Sequence, residues 1–184
     1  MNIYGKKVML RAIEKEDCEM IKDMFNDPEL EKLVVGWAFP VSSYAQEQWF
    51  QANYGDKNNL RFVIETKEDG AVGIVTLTNI DWKNRRATNG IKLANRNLCA
   101  KGIGTDAIMA IMRYAFDELG FVRLETSRFD SNEASKGLYT KCGWVEEGIK
   151  RSYVYKNGKF RDLTIVGILA SEYYELIEKN HYWD

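Results

Sequence analysis

Ala100-Lys101-Gly102-Ile103-Gly104-Thr105 joins a strand-like segment to an amphipathic helix through a short loop that holds two glycines. The helix is read from Ala107, Ile108, Ile111, Met112, Ala115 and Leu119, an apolar stripe at the 3/4 spacing that falls on one face. Gly120 ends it as a C-terminal cap, and Phe121 to Phe129 reads as the next strand. A glycine loop at a helix N-terminus turns successive backbone N–H groups outward. Their combined dipole suits an anion such as a pyrophosphate. Two glycines alone also fit an ordinary strand-to-helix turn, so the rest of the chain has to decide.

Upstream, Val8 to Ile13 reads as a strand, followed by helices over Glu16 to Asn26 and Pro28 to Leu33. Ser43 with Gln46 three residues on is a capping-box signal for a helix through about Tyr54. Leu60 to Thr66 and Ala71 to Ile80 form a hairpin around Glu68-Asp69-Gly70, and Arg86 to Leu93 is a fourth strand running into the glycine loop. Downstream come a short helix, Asn132 to Lys141, and strands Trp144 to Tyr155 and Phe160 to Leu169 about the Asn157-Gly158 turn. Ala170 to Lys179 is a terminal helix. This mixed α/β order departs from regular βαβ alternation, which argues against a dinucleotide-binding fold despite the glycines. No linker, repeat or low-complexity segment divides residues 1–184, so a single domain is expected.

Composition narrows the function. The apolar share of 45% and aromatic share of 12% supply a sizeable core. The net charge of -1, with 26 basic and 27 acidic residues interspersed, gives no basic stripe for nucleic acid. No apolar run suits a signal peptide or a membrane span, and Cys18, Cys99 and Cys142 form no CxxC pair, so reduced thiols in the cytoplasm are expected. His181 is the only histidine and lies near the C-terminus. Histidine-based triads and multi-histidine metal sites are thereby set aside, and no metal is expected. Chemistry falls to Tyr, Glu, Asp, Ser, Cys, Lys, backbone or water.

The second informative block is Asn132-Glu133-Ala134-Ser135-Lys136-Gly137-Leu138-Tyr139-Thr140-Lys141-Cys142-Gly143-Trp144. At about 100° per residue, Asn132, Ser135 and Tyr139 share one helical face. Three polar side chains there read as the lining of a cleft, although Asn132 also suits a helix cap and Tyr139 an ordinary half-buried tyrosine.

With Lys101-Gly102-Ile103-Gly104-Thr105-Asp106-Ala107, then Asn132-Glu133-Ala134-Ser135, Leu138-Tyr139 and Gly143-Trp144 in order, the chain resembles the GNAT superfamily of N-acetyltransferases. The branch is that of the RimJ/RimL and bacterial spermidine N-acetyltransferases, and the resemblance spans nearly the whole chain. It implies a mostly antiparallel sheet of six to seven strands, splayed at the acetyl-CoA site, with helices on both faces. It also implies that Cys99, Ala100, Lys101, Gly102, Ile103, Gly104 and Thr105 wrap the CoA pyrophosphate. Lys92, Leu93 and Ala94 would bond the pantetheine arm as an added strand, Asn132 would face it, and Lys141 would approach a CoA phosphate. Tyr139 would be the general acid that protonates the departing thiolate. The implied reaction is direct attack of a neutral amine on the acetyl carbonyl, with backbone N–H groups of the splayed strand polarising its oxygen.

Two positions depart from that pattern. Cys99 replaces a frequent Gln or Arg, which matters little where backbone amides do the binding. Thr88, two residues before Gly90, stands where related sequences often carry a glutamate, so the usual base is missing. Glu125, Asp130 or a water relay are the substitutes. The acceptor, a small metabolite amine or a protein N-terminus, is expected between the early helices, the Trp37-Ala38-Phe39 segment and the last hairpin. Glu29 and Glu31 give that region some acidity, while Trp37, Phe39 and Trp49 make it aromatic. The competing reading is a degenerate module that binds acyl-CoA without turnover. A P-loop is disfavoured by the lack of GxxxxGK[ST], and a homodimer is compatible with the resemblance.

Overall fold

The computed structural model describes residues 1–184 except Trp37, Ala38, Tyr54, Cys99 and Ala100, together with the side chain of Arg96. Its strands are β1 (Ile3–Tyr4), β2 (Val8–Arg11), β3 (Leu60–Thr66), β4 (Gly70–Asp81), β5 (Arg86–Leu93), β6 (Arg123–Phe129), β7 (Val145–Lys156) and β8 (Lys159–Leu169). The α-helices are α1 (Cys18–Asn26), α2 (Pro28–Glu31), α3 (Ser43–Ala52), α4 (Ile103–Arg113), α5 (Glu133–Lys141) and α6 (Ala170–Asn180). One sheet takes the order β1-β2-β3-β4-β5-β6-β8-β7. Its neighbours are antiparallel except β5 and β6, which are parallel. Eight strands replace the six to seven expected. The additional strand is β1, two residues long and paired Ile3 with Leu10 and Tyr4 with Met9, too short to show a period in the sequence.

The stripe on α4 does what its spacing predicts. Ala107, Ile108, Ile111 and Met112 are fully buried against the sheet, the Ile and Met side chains each contributing about 1.5–3 kcal/mol by leaving water. The helix does not run to Leu119 as an α-helix, however. Its last turn, Tyr114–Glu118, widens into a π-helical turn. Gly120, at φ +66°, reverses the chain, and the Phe121 N–H donates to the Ala115 carbonyl at 2.9 Å. On the opposite face α1 and α3 cover the sheet, with Ile21 and Met24 of α1 buried against Ile74. The cap of α3 is Ser42 rather than Ser43, since the Ser42 Oγ accepts from the Ala45 N–H at 3.1 Å. Gln46 is instead buried. Among the described residues no helix is long and apolar enough to cross a membrane.

Asp106, in the first turn of α4, is buried and ties distant segments together. Its carboxylate accepts from the N–H groups of Lys6 at 2.9 Å, Lys7 at 2.6 Å and Val8 at 3.0 Å. It also accepts from the Tyr182 hydroxyl at 2.8 Å. Asp106→Ala would strand these donors without an acceptor, and we expect a loss of roughly 3 kcal/mol or more in urea denaturation.

Candidate active site

Parallel pairing of β5 with β6 lasts for Arg86 with Arg123, Ala87 with Leu124 and Thr88 with Glu125, and then stops. Beyond Thr88 each strand follows its other neighbour. β5 stays on β4, with Thr76 opposite Gly90 and Ile74 opposite Lys92, while β6 stays on β8 as far as Phe129 opposite Leu163. The two strands therefore part, and the β5 edge is left without a ladder partner. The Ala94 N–H donates to the Val72 carbonyl at 2.8 Å. Strand alternation then directs the main-chain groups of Lys92 and Gly90 toward β4, and those of Asn89, Ile91 and Leu93 into the gap. Of the predicted trio Lys92, Leu93 and Ala94, it is Leu93 whose main chain faces the opening. Asn89 and Ile91 join it, and only the pairing register reveals them.

The α4 loop opens on the same space. Gly102 caps the helix at φ +83°, a conformation that costs glycine little. The first-turn N–H groups of Ile103, Gly104 and Thr105 have no acceptor within the helix. Lys7 donates from Nζ to the Lys101 carbonyl at 3.0 Å, which adds an ammonium beside the loop that the sequence reading missed. Lys101 itself is exposed, and Cys99 and Ala100 lie outside the described residues. Gly102, Gly104 and Thr105 line a cavity of about 840 Å³ that continues through the gap, within the range of small-ligand sites.

Asn132, Ser135 and Tyr139 line the same cavity from α5, as does Lys141. Asn132 is also the cap of that helix: its Oδ1 accepts from the Ser135 N–H at 3.0 Å. Tyr139 is 4% exposed and packs edge-on against Trp144. Its hydroxyl donates to Asn89 Oδ1 at 3.0 Å, and Asn89 Nδ2 donates to the Thr76 carbonyl at 3.1 Å. Burial holds the phenol well above the usual tyrosine range, so it stays protonated.

The two carboxylates considered as bases lie elsewhere. Glu125 Oε2 is 3.2 Å from Arg123 Nε, and the same guanidinium binds Glu147. Asp130 accepts from the Thr164 hydroxyl. Neither lines the cavity, whereas the Thr76, Thr78 and Thr88 side chains do. Among the described lining residues the one carboxylate is Glu133. Of the predicted aromatic wall, Trp49 lines the cavity, Phe39 is 84% exposed, and Trp37 and Ala38 lie outside the described residues. The last hairpin acts at one remove: Lys156 donates to the Glu31 and Val34 carbonyls, fastening the chain around α2. No group of three metal-ligating side chains occurs among the described residues.

The model of the acetyltransferase (GNAT) domain matches residues 7–145. The chain is 30% identical to the uncharacterized N-acetyltransferase p20 of Bacillus licheniformis, covering 93% of this chain and 97% of p20. It is 27% identical to the spermidine N(1)-acetyltransferase of Vibrio cholerae, over 92% of this chain and 96% of that protein. Among solved structures it is similar to spermidine N-acetyltransferase from Vibrio cholerae in complex with CoA and spermine. The TM-score is 0.84 at 26% identity, covering 91% of this chain and 98% of the other.

Gly73 supports the β5 edge from behind. A Cβ there would lie 2.2 Å from the Lys92 carbonyl oxygen and 2.9 Å from the Leu93 Cα. Gly73→Ala should displace the end of β5 and weaken CoA binding about tenfold, ~1.4 kcal/mol in titration calorimetry.

Proposed function

The chain belongs to the acetyltransferase (GNAT) family, and on that premise we propose that it moves the acetyl group of acetyl-CoA to a small primary amine by direct attack. One observation carries this reading: a single cavity joins the unpaired edge of β5, the first turn of α4 and the Tyr139 hydroxyl. Acetyl-CoA, when bound, supplies the activated acetyl group as a thioester. Gly102 to Thr105 would receive its pyrophosphate on backbone amides, with Lys7, Lys101 and Lys141 as flanking cations. Leu93 and Ile91 would hold the pantetheine as a strand, beside Asn132. The N–H groups turned into the gap would polarise the thioester oxygen.

Tyr139 then has the role of general acid. Its hydrogen bond to Asn89 fixes the phenol within the cavity, and burial keeps the proton available for the departing thiolate. The amine is a different matter, because an alkylamine with a pKa near ~10 arrives protonated at neutral pH. Thr88 takes the place of the usual glutamate and Glu125 is committed to Arg123, so water bridged by the threonine hydroxyls is the route for that proton. The absence of a carboxylate at Thr88 also favours a second reading, a module that binds acyl-CoA without turnover. Turnover itself separates the two.

Acetyl-CoA with a panel of amines should release free thiol, and Tyr139→Phe should cut that rate by about 10²- to 10⁴-fold while CoA still binds. A Tyr139→Phe protein with full activity would remove the phenol from the mechanism. The rate should also climb with pH from about 6 toward the amine's own pKa of about 10. No falling limb from Tyr139 should appear in that window, because its pKa is raised and the acid form persists to higher pH. Glu125→Gln and Asp130→Asn should overlay the parent profile, and a tenfold drop in either would identify a base.

A further inference from the structure

The cavity has two arms. One follows Gly102, Gly104 and Leu138 between α4 and α5. The other lies across the sheet, roofed by Phe25, Leu30 and Trp49 from α1, α2 and α3. If the first arm holds CoA, as the acetyl-transfer reading requires, the second receives the amine. Part of its wall is a short run of chain at the end of α2, where Leu30, Leu33 and Val34 line the cavity.

That run has little of its own to hold it. α2 is a single turn of four residues, and a helix so short is unstable alone. Its entrance is tied by the Asp27 carboxylate, which accepts from the N–H groups of Glu29 at 2.8 Å and Leu30 at 3.4 Å. The Leu33 N–H then donates to the Leu30 carbonyl at 3.0 Å, and the Val34 N–H to the Glu31 carbonyl at 3.2 Å. All of these bonds are local. The exit is tied from far along the chain, by the Lys156 ammonium. It donates to the Glu31 and Val34 carbonyls and pairs with the Glu31 carboxylate at 2.8 Å. Those acceptors use the full capacity of an ammonium group. On the CoA side, Asn132 Nδ2 donates to the Leu33 carbonyl at 3.5 Å.

The hairpin presents Lys156 for this contact. Val145 to Tyr153 of β7 are exposed, whereas Lys156 at its end is 9% exposed. The Asn157-Gly158 turn, at φ +52° and +76°, is the tight kind that matches strand twist. Tyr155 packs edge-on against Phe160 with ring centroids 5.1 Å apart, which stiffens the tip. A buried ammonium is costly unless its donors are satisfied. Here every acceptor that satisfies it belongs to the end of α2.

We propose that Lys156 is a positioning residue for the acceptor, a strap that fixes the wall of the amine arm from outside the cavity. The identity of that arm rests on the acetyl-transfer reading. Lys156 does not itself line the cavity. Without it, Glu31 to Val34 would sample wider positions, and an incoming amine would bind at the cost of ordering them. Asn132 would still hold Leu33 on the other side, so the CoA arm would keep its shape.

Spermidine, 2-phenylethylamine and the dipeptide Ala-Ala, each with acetyl-CoA as donor, supply the test. Lys156→Met keeps the apolar stem and removes the ammonium. For whichever amine the parent acetylates, KM should rise about tenfold or more, the scale of a lost charge-assisted hydrogen bond. KM for acetyl-CoA and kcat should not change. Hydrogen exchange of the Leu33 and Val34 amides should quicken, with that of α4 unaltered. Glu31→Gln leaves both carbonyl bonds and should raise the same KM only about two- to fivefold; it serves if Lys156→Met fails to fold. An amine KM that does not move, a rise shared equally by acetyl-CoA, or unchanged exchange at Leu33 and Val34 overturns the strap. Calorimetric binding of the amines to the CoA-saturated protein separates that failure from failure of the acetyl-transfer reading. Amine binding that weakens in Lys156→Met, with no transfer by the parent, overturns acetyl transfer and sustains the strap. Transfer with an unmoved amine KM does the reverse, and no binding by any of these amines overturns both.

Discussion

Everything in the site depends on two parallel strands that stop pairing after three residues. A ladder that continued past Thr88 and Glu125 would consume the main-chain donors and acceptors of Asn89, Ile91 and Leu93. The parting occurs because each strand is better held by its other neighbour. β5 follows β4 through Gly73 opposite Leu93, and β6 follows β8 along its full length. A sheet edge in the middle of a protein is normally a liability. Here it is shielded by α4 and α5 and by the early helices, so that it opens onto an enclosed space rather than onto another chain. Strands gripped on one side only can present an ordered row of polar groups without collapsing onto each other.

What was legible in the sequence was local. The α4 stripe, the glycine loop and the shared face of Asn132, Ser135 and Tyr139 all rest on helical spacing within a dozen residues. The stripe and the shared face are present, although the helix passes into a π-helical turn after Arg113, and Cys99 and Ala100 of the loop lie outside the described residues. Even the two roles of Asn132 proved compatible, since a capping side chain can also line a cleft. What stayed hidden was non-local. Asn89 has no motif of its own, and its contact with Tyr139 spans 50 residues. The place of Lys92 depends on the register with β4 and on a missing side chain at Gly90. β1 is too short to carry a pattern, and the π-helical turn before Gly120 arises from how Phe121 bonds back to Ala115, which spacing alone does not disclose. The aromatic wall was only partly legible for the same reason. Composition shows that Phe39 and Trp49 exist, and only packing separates an exposed ring from a lining one.

A threonine at position 88 poses an electrostatic question for an incoming amine. A carboxylate at Thr88 would accept the amine's proton, but it would also stabilise the ammonium form before attack. Positive charge nearby acts in the opposite sense, since a like charge disfavours a bound ammonium. Arg61, which lines the same cavity, is of that sign, with Asp56 3.6 Å from it. The apolar roof of Phe25, Leu30 and Trp49 strengthens these effects by keeping the local dielectric low. On the acetyl-transfer reading, proton removal would be helped by that electrostatic setting, with water as the acceptor.

The carboxylate of Asp106 gathers residues 6 to 8 and Tyr182 at one point on α4. Lys6 adds a bond from its ammonium to the Asp184 carbonyl at 3.4 Å and lies over the Tyr182 ring. The two extremities of the chain are thus neighbours in space. A short flexible peptide can bridge them, which makes the fold a good candidate for circular permutation. New ends opened at the Glu68-Asp69-Gly70 turn would interrupt only the tip of the β3–β4 hairpin. The linker itself would rest near α4, the helix whose first turn opens on the cavity. A conformational reporter built into that linker would sit where occupancy of the loop is most directly felt.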